Sequence, residues 1–104
     1  NEVTIVLVSE FGRTVDENGD GGVDHGRGSA TIVIGGNVVG GVHGASRFPG
    51  VIQDPTYGDL PVTTDIRSIL AEIVRKRSDT PGINLNTVFP TYTHDIAQEL
   101  GVVV

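Results

Sequence analysis

Asp24 and His25 stand side by side in the run Gly22-Val23-Asp24-His25-Gly26-Arg27-Gly28. A carboxylate next to an imidazole suits two chemistries, holding a divalent metal or orienting a histidine that passes a proton. The flanking glycines let the backbone approach a ligand closely. The same composition also makes an ordinary surface turn, because Asp and Gly favour turns whether or not they bind anything. Glu10 follows an apolar run and needs a partner if it is buried, for which a metal or Arg13 would serve; a solvated carboxylate at a strand end is the competing reading. The Arg13 guanidinium has the fork that grips phosphate or sulfate, although arginines also close local salt bridges. Asn18, in Glu17-Asn18-Gly19, reads as a turn residue suited to left-handed backbone. His43 and His94 are weaker candidates, the first as a hydrogen-bonded loop histidine, the second as a helix-start residue that caps or sits in solvent. The chain has no nucleophile elbow, phosphate-binding loop or HExxH helix. Its paired glycines, Gly35-Gly36 and Gly40-Gly41, lack dinucleotide-fingerprint spacing.

These residues need elements to position them. Residues 3–8 (Val-Thr-Ile-Val-Leu-Val) form a nearly continuous β-branched run, the pattern of a strand buried on both faces of a parallel sheet. Ser9 to Thr14 then fall at that strand's carboxyl end, where open α/β sheets bind ligands. Residues 16–28 read as loop, 30–34 as a second buried strand, and 37–42 as a brief strand or hairpin arm. Residues 43–61 read as irregular chain marked by Pro49, Pro55 and Pro61, and a loop of that length usually has a role. A helix begins at Thr63-Thr64-Asp65, with a threonine as cap and Asp65 in the first turn. Ile66, Ile69, Leu70 and Ile73 make its apolar stripe, and Arg75-Lys76-Arg77 complement the dipole at its end near Ser78. Residues 84–90 read as extended, and 94–100 as a short helix closed by Gly101.

Composition limits the rest. The 104 residues allow one domain, with 38% hydrophobic residues, 15 glycines and no Trp, Met or Cys. That much glycine raises the entropy cost of folding against a small apolar content. A chain that starts at Asn1, directly in a strand-like run, is expected to be a piece of a larger protein. The net charge of −6 argues against a nucleic-acid binder, which needs a basic stripe. No apolar run reaches membrane-spanning length, and without cysteine there are neither disulfides nor thiolate ligands.

The ordered motifs Ser9-Glu10-Phe11-Gly12-Arg13-Thr14, Glu17-Asn18-Gly19, Gly22-Val23-Asp24-His25-Gly26, Ile32-Val33-Ile34-Gly35-Gly36, Val39-Gly40-Gly41, Asp59-Leu60, Val62-Thr63-Thr64-Asp65-Ile66-Arg67, Leu70-Ala71-Glu72-Ile73 and Val88-Phe89-Pro90 cover nearly the whole chain. Together they resemble the C-terminal part of the domain of unknown function family 1501, which is sulfatase-like and grouped with the alkaline phosphatase superfamily. The resemblance implies an α/β fold, with residues 1–104 a single C-terminal segment of an α/β/α sandwich around a mostly parallel sheet. It implies a metal-dependent hydrolase of sulfate or phosphate esters, with zinc, manganese or calcium as the divalent ion. Glu10, Asp24 and His25 are then the metal ligands that this segment would contribute, Asp24 either binding directly or fixing the imidazole tautomer. Arg13 and Asn18 are the substrate-side candidates. Phe11 stands where the superfamily pattern places a ligating histidine, and the nucleophile belongs to a half outside this sequence, so the segment by itself is expected to be inactive. A periplasmic or extracellular location follows from the same resemblance. The alternative is a non-catalytic binding or structural module of an exported or surface assembly. On either reading the expected partner is the remainder of its own protein or another chain completing the sheet, a homo-oligomer included, with no nucleic acid and no membrane span.

Overall fold

A computed structural model describes residues 3–48 and 58–104. The first β-branched run forms strand β1, Thr4–Leu7, and the second forms β4, Ile32–Gly35. They pair antiparallel, with Thr4 opposite Gly35 and Leu7 opposite Ile32. Between them the chain makes two shorter strands, β2 (Gly12–Arg13) and β3 (His25–Gly26), also antiparallel. The α/β/α sandwich with a mostly parallel sheet is therefore not what forms. Among the described residues there are two two-stranded antiparallel sheets and two α-helices, and neither sheet is parallel. The physical reason lies in the connection. A parallel partner needs a crossover, usually a helix, but the chain between β1 and β4 doubles back through β2 and β3.

The strands expected to be buried on both faces each keep one apolar face open, a difference that a short apolar run does not encode. Thr4 and Val6 are half-buried while Ile5 and Leu7 are exposed. Direct cross-strand partners share a face, so Ile5 with Ile34 and Leu7 with Ile32 make one exposed apolar surface. Residues 37–42 contribute an isolated bridge, Val38 to Val103, in place of a strand.

Around the smaller sheet three backbone stretches approach very closely. Thr14 bridges to Asp59, Val15 N donates to Gly58 O, and Gly28 N donates to Leu60 O, so residues 58–60 lie as a third rung beside β2 and β3. The contact needs hydrogen in place of a side chain, because a Cβ on Gly12 would sit 1.7 Å from Gly28 O and one on Gly26 2.7 Å from Asp59 Cβ. Asp59 is buried and held by Arg27, whose backbone N, Nε and NH2 all donate to its carboxylate. Those Arg27 hydrogen bonds keep the Asp59 carboxyl below the usual carboxylate range, against the opposing effect of burial.

Helix α1 spans Ile66–Arg77. The expected threonine cap is in fact Asp65, whose Oδ1 accepts from Arg67 N at 2.9 Å. Ile66 is exposed and Ile69, Leu70 and Ile73 only half-covered, so the apolar stripe is not the buried face. The buried positions are Ser68, Ala71 and Glu72. Residues 84–90, expected to be extended, contain the short helix α2, Leu85–Val88, capped by Asn84. Residues 94–100 make only a 3-10 turn, Ile96–Gln98, and the chain then turns through Gly101 at φ 73°. No helix among the described residues is long and apolar enough to cross a membrane. The expected loop over residues 43–61 contains the 3-10 turn Ala45–Arg47, and Pro49 and Pro55 lie outside the described residues.

What α1 buries is the chain's last segment. Glu72 Oε2 accepts from Leu100 N at 3.1 Å and Gly101 N at 3.2 Å, while Oε1 accepts from Lys76 Nζ at 2.9 Å. Lys76 donates onward to Val103 O. Val39 N donates to Val102 O and Val104 N to Asn37 O on the segment's other side. The buried apolar residues among those described are Ala71, Val102 and Val103, a core far too small for a chain of this length. The radius of gyration, 15.8 Å, accordingly exceeds the about 13 Å of a compact domain this size.

Glu99 completes this junction. Arg75 grips it with two 2.7 Å hydrogen bonds and His94 Nε2 lies 2.7 Å from Oε1. His94 is thus buried and partnered, contrary to the capping or solvated role expected of it. Chiefly through the Arg75 hydrogen bonds, the Glu99 carboxyl is lowered to about 2 from the ordinary 4.5. A depressed carboxyl stabilises the fold above its unfolded pKa and loses that contribution as pH falls through the folded one. We therefore expect stability to fall between pH 4.5 and 2, by on the order of 2–3 kcal/mol from this residue. Urea midpoints across that range should show a shallower acid loss in Glu99→Gln, which starts from lower neutral-pH stability; parallel curves would remove Glu99 as the cause.

Candidate functional site

Leaving β1, the chain passes Ser9, Glu10 and Phe11 before entering β2, and Ser9 Oγ ties the bend by donating to Phe11 O at 2.8 Å. The β2–β3 register sets Arg13 opposite His25. Phe11 and Arg13, two apart in extended chain, point to the same side. The result is a layered contact. The Phe11 ring stacks on the His25 ring at 3.6 Å and 21°, and Arg13 Cζ lies over the Phe11 ring, 5.0 Å from its centroid. A guanidinium over a ring face is attracted by the ring's quadrupole. Arg13 also donates to Val23 O through NH1 at 3.3 Å.

Phe11 and Arg13 face an open cleft of about 460 Å³, formed by Ser9, Glu10, Phe11, Gly12 and Arg13 on one side and Gly28, Ser29 and Leu60 on the other. Glu10 is exposed at this cleft and makes no hydrogen bond or ion pair with another described residue. Asp24 and Asn18 lie away from its lining. The Asp24 carboxylate accepts from Asn18 Nδ2 at 2.9 Å, and its backbone N donates to Thr14 Oγ1. Asn18 organises the turn before it, its Oδ1 accepting from Asp20 N and Gly22 N. The left-handed residue of that turn is Gly21, at φ 79°, and Asn18 itself keeps negative φ.

The proposed metal ligands are therefore not drawn together. Among the described residues no three His, Asp or Glu groups converge to hold a metal ion. His25 faces a phenyl ring and Asp24 an amide, so this donor set by itself does not fit a divalent ion. The structure instead brings together Glu10, Phe11 and Arg13 at one cleft, with His25 behind Phe11. Phe11 as the platform was legible in principle, since an aromatic two residues before an arginine in a strand must share its face. The Arg27–Asp59 clamp was not, because nothing local links residues 32 positions apart.

A family model described as protein of unknown function (DUF1501) matches residues 1–101. The chain belongs to the DUF1501 family. The match takes in β1, the cleft, α1 and the Glu72 and Glu99 junction of this DUF1501 member. No curated protein and no solved structure matches it.

Proposed function

We propose that this chain is a segment of a sulfatase-like or phosphatase-like hydrolase, in which the cleft at the end of β1 receives the oxyanion of an ester. The observation that carries this reading is Arg13, exposed at the cleft over Phe11 with one terminal nitrogen on Val23 O. A guanidinium has five N–H donors in a fork that matches sulfate and phosphate. The ring beneath it attracts its charge. Glu10 lines the same cleft and on this reading would accept a proton from an attacking hydroxyl. Asn18 acts one step removed, by holding the turn that carries Asp24 and His25. The donors present do not make a metal centre, and no step is assigned to a metal. A divalent ion such as zinc, manganese or calcium would take Glu10, Asp24 or His25 only with donors from beyond this sequence. The exposed Ile5, Leu7, Ile32 and Ile34 face supports a partner covering the sheet, either more of the same protein or another chain. On this reading the protein works in the periplasm or outside the cell.

A second reading is favoured by Phe11, which stacks on His25 at the position where the resemblance places a ligating histidine: the same cleft binds an anion without turnover, as part of an exported assembly. Assays of the intact protein on aryl sulfate and aryl phosphate esters, beside equilibrium binding of inorganic sulfate and phosphate, separate the two. The hydrolase reading expects turnover whose KM rises about tenfold or more in Arg13→Ala, the loss of a hydrogen bond to a charged group. Saturable anion binding lost in Arg13→Ala, with no turnover, selects the binding module. Neither turnover nor binding overturns both.

A further inference from the structure

His43 faces two backbone carbonyls: Nε2 lies 2.7 Å from Val39 O and Nδ1 lies 3.3 Å from Leu100 O. Carbonyl oxygens only accept. A neutral imidazole has one N–H, so it satisfies one carbonyl and turns a lone pair toward the other, whereas an imidazolium donates to both. The unequal distances match a ring that donates from Nε2 and stands back from Leu100. The two carbonyls belong to opposite sides of one seam. Val39 precedes the Gly40-Gly41 turn, Leu100 opens the last segment, and the seam between them already holds Val39 N to Val102 O, Val104 N to Asn37 O and the Val38–Val103 bridge.

We propose that His43 is a proton-operated latch, which on protonation fastens the chain at residues 39–43 to the C-terminal segment and on deprotonation lets that seam loosen. The surrounding charges come from three elements. From α1, Glu72 accepts from Gly101 N, which shares a peptide unit with Leu100 O, so that unit lies between the carboxylate and the imidazole. In the last segment, Glu99 is held by Arg75, Lys76 and His94. From the turn Ala45–Arg47, the Arg47 guanidinium donates to Thr64 and Gln98. Among the described residues no carboxylate is paired with His43, and both of its partners are neutral carbonyls. The seam is the place for such control because the C-terminal segment, pinned on its other side by Glu72 and Lys76, carries two of the buried apolar side chains.

The test is amide hydrogen exchange and ring-nitrogen NMR on the intact ¹⁵N-labelled protein, from about pH 8 to about pH 5.5, where histidine charge changes. After correction for intrinsic exchange, protection of the Val39 and Val104 amides should rise about tenfold on acidification, as a neutral contact becomes charge-assisted. The rise should vanish in His43→Gln and persist in His94→Gln. Protection that is flat or falls in wild type, or that rises equally in His43→Gln, overturns the latch. Should His43→Gln not fold, the wild-type ring decides: both His43 ring N–H protons protected from solvent exchange at the acid end support the latch, and protection of one or neither overturns it.

Discussion

Glu72→Ala should lose about 3–5 kcal/mol of stability, read as a drop in urea midpoint at neutral pH, or fail to fold. The carboxylate is fully buried and takes three donors: Leu100 N, Gly101 N and Lys76 Nζ. Truncation leaves two part-buried backbone N–H groups without their acceptor, each carrying its own desolvation cost, and takes one of its partners from Lys76, which keeps Val103 O and Glu99. It also leaves a cavity beside Ala71 and the C-terminal valines. Typical domains hold only about 5–15 kcal/mol in total, and the small apolar core here points to the low end. Glu72→Gln keeps the shape and one acceptor oxygen but loses the charge opposite Lys76, so its loss should be smaller. Equal and small losses in both variants would show that the junction is held by the valines instead.

Gly12→Ala should be nearly as damaging, though it adds only a methyl group. Its Cβ would lie 1.7 Å from Gly28 O, a backbone atom that cannot rotate away. Relief requires β2 to part from the turn at Gly28, which in turn is bonded to Leu60 O. We expect a loss of about 3 kcal/mol or more, in the range that single substitutions reach only through strain or core disruption. The control is Gly40→Ala, where a Cβ meets nothing within 4 Å and φ is not left-handed. There the change should be neutral, or stabilising by about 0.4–1 kcal/mol, because alanine restricts the unfolded chain. A melting curve for Gly12→Ala that overlays the control would disprove the close approach of the three backbone stretches. Because the Phe11–His25 stack rides on β2 and β3, Gly12→Ala should also weaken any anion binding at the cleft, without touching a charged group.

Local chemistry made part of this molecule legible from its residues. β-Branched residues at 3–8 and 30–34 favour extended backbone wherever they are placed, and they become β1 and β4. The spacing of Ile66, Ile69, Leu70 and Ile73, with Asp65 before and three basic residues behind, specifies a helix ending at Arg77. Ser9 to Thr14 are expected at the ligand-binding edge of a parallel sheet; no such sheet forms among the described residues, and most of them instead line an open cleft where the chain passes from β1 into β2. Family membership was legible too, since several separated motifs recur in order along nearly the whole chain.

Pairing, direction and burial were decided elsewhere. The antiparallel partnership of β1 and β4 depends on the path taken between them, which includes a second sheet built on glycines that permit contact without announcing it. α1 turns Glu72 inward because three donors from the same helix and the last segment outweigh the desolvation of one carboxylate, a balance invisible to a hydrophobic pattern. Arg27 with Asp59 and Arg75 with Glu99 join residues far apart in the chain, and charge patterning over a window of a few residues has no access to such pairs. Asp24 and His25 are adjacent in sequence, yet one meets Asn18 and the other Phe11. The amino-acid sequence alone thus determined that β1 and β4 extend, that α1 coils and which family the chain joins, because those follow from short-range sterics and ordered motifs, whereas the short stretches 84–90 and 94–100 took their form from the tertiary structure. Which side chains meet was left to the tertiary structure, because contact depends on how the intervening backbone closes and on which buried polar groups find partners there.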